Sequence, residues 1–258
     1  MPAPSPLFDL SGKNAVVTGS TRGIGQAIAR WLALAGARVV VSSRKLEACE
    51  RVAAEINEET GAESAVPIPC HIGHKEQLQA LVDQTHEKLG DIHIAVGNAA
   101  VNPYYGGSLQ IPDSAFEKVM HSNITSNHWL AQLVIPEMCE RKWGRFIVVS
   151  SVAGVKGTPM LGAYAISKAA DMQMVRNLAR EFGAEGVTAN CVAPGLVKTE
   201  FSRALWEDED TLARITKSMP VGRMGTVDEI AAYVLFLASD AGGFTTGQSL
   251  VIDGGASI

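Results

Sequence analysis

The chain has 258 residues, 47% of them apolar and 19% charged, which excludes a disordered or fibrous chain and leaves room for one large α/β domain or two small ones. A net charge of -5 without a basic cluster excludes a nucleic-acid partner. No apolar run approaches the roughly 20 residues of a bilayer span, residues 1–10 lack a secretion signal's basic start and apolar middle, and Cys49, Cys70, Cys139 and Cys191 lie too far apart for a C-x-x-C pair or a zinc set, so a cytoplasmic chain with reduced thiols and no metal is expected.

In chain order, residues 1–10 read as a short arm. β-branched runs then predict strands over 15–18, 38–42, 64–70, 92–96, 146–150, 188–193 and 250–252. Helical periodicity fills the intervals 25–36, 46–60, 75–89, 113–141, 161–182 and 228–239. Strands alternating with helices of crossover length make right-handed βαβ units, hence a doubly wound, seven-stranded parallel sheet with helices on both faces. No linker or repeat divides the chain, so a single Rossmann-type domain is expected over 1–258.

Between the first strand and the first helix lies Gly19-Ser20-Thr21-Arg22-Gly23-Ile24-Gly25. Glycines allow a tight turn and close backbone approach, and a helix N-terminus supplies free N–H groups and positive dipole, so this loop reads as a cradle for a pyrophosphate. About 20 residues further on, where an acid would bind the ribose 2′-hydroxyl of NAD(H), the second strand ends at Ser43, followed by Arg44 and Lys45. A hydroxyl and a planar cation suit a 2′-phosphate, with Arg22 as a further cation, which favours NADP(H) over NAD(H). The alternative is that Arg44 and Lys45 simply open a solvated helix. Further along, Tyr164 and Lys168 stand at i and i+4, about 6 Å apart at their Cβ atoms on one helix face. A nearby ammonium favours the phenolate and makes the tyrosine usable as acid or base near neutral pH.

The spacing T-G-x-x-x-G-x-G at Thr18, Gly19, Gly23 and Gly25, the serine thirteen residues before Tyr164, the Y-x-x-x-K itself and Asp253-Gly254-Gly255 near the end together resemble the short-chain dehydrogenase/reductase family over nearly the whole chain. The resemblance implies hydride transfer between a nicotinamide and a carbonyl or alcohol carbon. It makes Asn123, Ser151, Tyr164 and Lys168 the catalytic set: Ser151 binding the substrate oxygen, Tyr164 passing the proton, Lys168 binding the nicotinamide ribose, Asn123 holding a water that links Lys168 to solvent. Ser150 is the rival of Ser151, and strand alternation lets only one face the site. A buried amide capping a distorted turn is the alternative for Asn123, since asparagine is unfavourable inside a helix.

The same resemblance places His71 or the Ile72 backbone against the adenine, where the family usually has an aspartate. It sets Asn98 and Ala99 by the ribose, and Pro194, Gly195, Val197 and Thr199 around the nicotinamide. Substrate contacts are expected from Ser151, Tyr164, Tyr104, Phe201 and Trp206, the last two on a lid over about 198–218. Val101-Asn102-Pro103 together with Ser43-Arg44-Lys45 and Cys70-His71 look like the NADP-dependent carbonyl reductase/retinol dehydrogenase branch; sugar acids and hydroxysteroids remain open as substrates. The helix over 161–182 is apolar around more of its circumference than one sheet face can bury, so a homotetramer or homodimer is expected.

Overall fold

The computed structural model describes residues 6–258, so half of the expected N-terminal arm lies outside the described residues. Seven parallel strands form one sheet: β1 (Asn14–Thr18), β2 (Arg38–Ser42), β3 (Ala65–Pro67), β4 (Ile94–Gly97), β5 (Gly144–Val149), β6 (Val187–Pro194) and β7 (Ser249–Ile252), in the order β3-β2-β1-β4-β5-β6-β7. Successive strand residues point to opposite faces. Ala15, Val17, Val39 and Val41 therefore enter one core with α1 (Gly23–Leu34), α2 (Leu46–Thr60) and α9 (Val227–Ala238). Val16, Val40, Phe146 and Val148 enter a second core with α3 (Lys75–Leu89), α5 (Ser126–Glu140) and α6 (Gly162–Phe182). Burial on both faces explains why the strands read as continuous apolar runs.

Two expectations are corrected. The third strand, expected over 64–70, pairs as a strand only across Ala65–Pro67. Pro67 and Pro69 have no N–H to give, although Ile68 and Cys70 still donate to Val41 O and Ser43 O. The single helix expected over 113–141 is broken into α4 (Asp113–Met120), a π-helical turn (His121–Thr125) and α5. The irregularity falls on Asn123. No helix among the described residues is long and apolar enough to cross a membrane.

Candidate active site

Parallel strands all end on the same side, so Gly19, Ser43, Asn98, Ser151 and Gly195, each following a strand, gather along one edge of the sheet. The strand order reverses between β1 and β4, which opens a crevice at that edge.

Gly19 has φ +66, and a Cβ there would stand 3.0 Å from Ala99 Cα. A Cβ on Gly25 would collide with Asn98 Nδ2 and the Gly19 carbonyl. Asn98 is the reason for this crowding: its amide donates to Thr18 O (2.9 Å) and Gly19 O (3.1 Å), while Thr18 Oγ1 accepts from the N–H groups of Asn98 (3.0 Å) and Ala99 (3.1 Å). Asn98 and Ala99 thus form the floor on which the loop folds. Ser20 is fully buried, donating to Val17 O (2.7 Å) and accepting from Ser42 N (2.8 Å), so its side chain is a strut between β1 and β2. The rim, from Thr21 to Ile24, is open. Arg22 is exposed and extended (φ -165, ψ 163) and places no side-chain cap on α1, whose first N–H groups face the opening. A diphosphate fits this cradle: backbone donors, a positive helix end, no Cβ at Gly23 and one cation.

Beyond β2, Ser43 N donates to Cys49 Sγ (3.2 Å), which seats the turn, and Arg44 and Lys45 project into solvent with no ion pair among the described residues. Lys45 is the N-cap of α2, again without a side-chain cap. His71 Nδ1 accepts from Gly73 N (3.1 Å), and burial, with His74 and Arg44 nearby, holds the imidazole below its ordinary range. The neutral ring therefore carries its proton on Nε2 and is a donor. It cannot replace an aspartate that accepts from an adenine amino group; of the two expected contacts, only the Ile72 backbone offers an acceptor.

Ser150 and Ser151 end β5 in opposite senses. Ser150 is buried and spends its proton on Lys168 O (2.7 Å), whereas half-buried Ser151 accepts from Ala153 N (3.1 Å) and keeps its proton free to donate. Lys168 is 2% exposed; its Nζ donates to Val149 O (2.9 Å) and Asp171 Oδ2 (3.1 Å), and lies 5.7 Å from the centre of the Tyr164 ring. One of the three ammonium protons remains for a ligand. Asn123 clamps the Val101 backbone, accepting from its N–H (2.8 Å) and donating to its carbonyl (3.1 Å), and also donates to Ser167 Oγ (3.0 Å), which in turn donates to Tyr164 O (2.7 Å). The Asn123 side chain therefore fixes the turn that bears Tyr164, and its amide is spent on protein partners. Asn127, Ser167 and Asp171, absent from the sequence expectations, complete this buried network. The available signal for Asp171 was an acid at the third position after Lys168, on the same helix face as Tyr164 and Lys168.

At the end of β6, a Cβ on Gly195 would stand 2.7 Å from Asp253 Cα, which holds the tips of β6 and β7 together after Pro194. Leu196 O and Lys198 N bond to Gly225, so the Val197 N–H points the other way. Thr199 Cγ2 lies 3.4 Å from where a Gly23 Cβ would be, joining this exit to the cradle. Its hydroxyl caps the turn Glu200–Ser202 by accepting from Ser202 N (3.3 Å).

The segment that follows, expected as the lid, holds α7 (Arg203–Trp206) and α8 (Glu209–Lys217). Trp206 donates its indole N–H to Thr199 O (2.9 Å), and the Lys198 ammonium lies 5.0 Å from the centre of its ring. Phe201 is 56% exposed, with its ring 5.9 Å from that of Tyr164. Tyr104 lies on a loop that is pinned beside the start of α6 by Gly106 N donating to Met160 O (3.0 Å).

A family model described as Enoyl-(Acyl carrier protein) reductase matches residues 19–257. Dehydrogenase/reductase SDR family member 4 of Bos taurus is 39% identical over 247 residues, covering 96% of this chain and 88% of the relative. Among solved structures, a gluconate 5-dehydrogenase from Burkholderia cenocepacia J2315 in complex with NADP and tartrate superposes with a TM-score of 0.93 at 32% identity, covering 98% of each chain. A 7α-hydroxysteroid dehydrogenase complexed with NADH and 7-oxo glycochenodeoxycholic acid gives 0.92 at 33% identity, covering 97% of this chain and 96% of that one. With the fold, the cradle and the Tyr164–Lys168 pair, these matches make the chain a member of the short-chain dehydrogenase/reductase family, NAD(P)-dependent oxidoreductases of carbonyl and alcohol carbons.

Proposed function

We propose that this protein uses NADP(H) to interconvert a ketone or aldehyde and its alcohol, with Tyr164 as acid and base. The observation that carries the reading is the buried Lys168 ammonium set 5.7 Å from the Tyr164 ring, with the Ser151 hydroxyl after β5 keeping its proton free to donate. When bound, the nicotinamide supplies or accepts the hydride. Ser151 donates to the substrate oxygen and steadies the charge that develops there. Tyr164 hands that oxygen its proton in reduction and takes it back in oxidation, and Lys168 stabilises the phenolate while its remaining proton serves the ribose hydroxyls. The first turn of α1 holds the diphosphate, Ser43, Arg44 and Lys45 with Arg22 hold the 2′-phosphate, and the Val197 N–H holds the carboxamide. Phe201 and Tyr104 line an apolar substrate wall under a lid over about 198–218, which suits the carbonyl reductase branch of the family.

NAD(H)-dependent oxidation of a secondary alcohol is the second reading, favoured by the NADH-bound hydroxysteroid relative. Initial rates with NADPH and NADH over a panel of ketones, aldehydes and alcohols separate the two; equal efficiency with both nucleotides, or preference for NADH, removes the first. Tyr164→Phe is expected to lower kcat by about 10²–10⁴-fold with thermal stability unchanged, and a fully active variant refutes the assignment. A homotetramer fits the 55% exposure of Ile166 on α6, and a cytoplasmic location fits the four free cysteines.

A further inference from the structure

Tyr164, Lys168 and Asp171 stand at i, i+4 and i+7 of α6, a spacing that puts all three on one face of the helix. Asp171 is fully buried. Its Oδ2 accepts from Lys168 Nζ (3.1 Å), and its Oδ1 accepts from Asn127 Nδ2 (3.0 Å). The same amide nitrogen donates to Asn123 O (2.8 Å), the carbonyl carried by the π-helical turn. We propose that Asp171, oriented by Asn127, is a positioning residue that keeps Lys168 an ammonium beside Tyr164 through the proton-transfer cycle. This rests on the reading of Tyr164 as the acid and base.

The physical reason is desolvation. A buried amine without a counter-ion gives up its proton, and one facing a carboxylate keeps it. At Lys168, burial is the largest single influence and works against the charge, yet Asp171 and Tyr164 more than offset it and hold the amine above its ordinary range. Burial pushes the Asp171 carboxyl up, opposed by Lys168 and Asn127. Both of its named partners are donors, so the arrangement is that of a carboxylate facing an ammonium. The other groups around Lys168 do not substitute for Asp171. Besides Asp171, α6 presents Tyr164; β6 presents Cys191, whose thiol burial keeps neutral; β5 presents the Val149 carbonyl; α5 and the turn before it present the amides of Asn127 and Asn123.

Asp171→Asn preserves the shape and removes the charge. Two readouts are followed against pH: kcat for alcohol oxidation, and, without nucleotide, the 295 nm phenolate absorbance that Tyr164→Phe deletes from the signal of the chain's four tyrosines. With Lys168 losing its proton more easily, both inflections are expected to move to higher pH by about one unit or more, and activity lost at neutral pH returns on the alkaline side, a rescue that mere destabilisation does not produce. Inflections that stay in place, or that move to lower pH, overturn the proposal. If Asp171→Asn does not melt cooperatively, Asn127→Ala carries the same test, with a smaller shift of the same sign expected and the same overturning outcomes. Full activity of Tyr164→Phe would sink the underlying reading; an inactive Tyr164→Phe with unmoved Asp171→Asn inflections sinks this inference alone.

Discussion

On the proposed reading, Arg44 is the residue whose charge most directly separates the two nucleotides. It stands exposed where β2 gives way to α2, beside a serine seated by Cys49. Arg44→Asp turns attraction for a 2′-phosphate into like-charge repulsion, which costs several kcal/mol at close range. The ratio of kcat/KM for NADPH to that for NADH is expected to fall by about 100-fold or more, read from initial rates; an unchanged ratio would leave Arg44 as the opening of a solvated helix.

The β1–α1 connection is held by crowding as much as by hydrogen bonds. Gly25→Ala would push a methyl into the Asn98 amide and the Gly19 carbonyl, neither of which can retreat without breaking the clip between β1 and β4. A loss of about 1–3 kcal/mol is expected, measured by urea denaturation, together with weakened NADPH binding; a variant with wild-type stability would show that the loop relaxes freely. The helix packed on α1 offers a contrast. α9 opens with a capping box in which Thr226 N donates to Glu229 Oε2 (2.8 Å) and Glu229 N to Thr226 Oγ1 (3.2 Å). Thr226→Ala is expected to cost about 1 kcal/mol, read from the same urea denaturation.

Across the whole molecule, acid acts at the edge of the sheet opposite the site. His93, just before β4, accepts from Asn14 N (3.2 Å) through Nδ1, and burial, reinforced by Arg141 and Lys13, holds its imidazole below the ordinary range. The folded state then binds fewer protons than the unfolded chain, so stability is complete above roughly pH 6.5 and falls as the pH drops below it. Thermal melts from pH 8 to 5 are expected to show this decline, and His93→Gln is expected to flatten it; an unchanged slope would place the acid sensitivity elsewhere. Association works at the same scale. Ile166, Phe244 and Val251 leave apolar surface exposed on the single chain, and light scattering is expected to report a tetramer, with a stable monomer as the contrary result.

Local chemistry made much of this legible from the residues in order. A strand buried on both faces reads as an apolar run, which is why β2 falls at its expected bounds, and the helical period of apolar residues does the same for α2 and α3; glycines mark a backbone that must approach an anion; Tyr164 and Lys168 meet because one helical turn separates them. What crosses between elements was not legible. The interval to Tyr164 favoured Ser151 over Ser150, but that the Ser150 hydroxyl is taken by the Lys168 carbonyl on α6 shows only in the fold. That the amide protons of Asn98 go to Thr18 and Gly19, and the indole proton of Trp206 to Thr199, depends on partners that only the fold brings near. Asn123 signalled an irregular helix, but only the packing of the π-helical turn against α6 decided that its amide holds Val101 and Ser167. Asp171 read as one acid among many until burial placed it against Lys168, for a carboxylate's effect depends on the dielectric and the partner around it, and tertiary structure sets both.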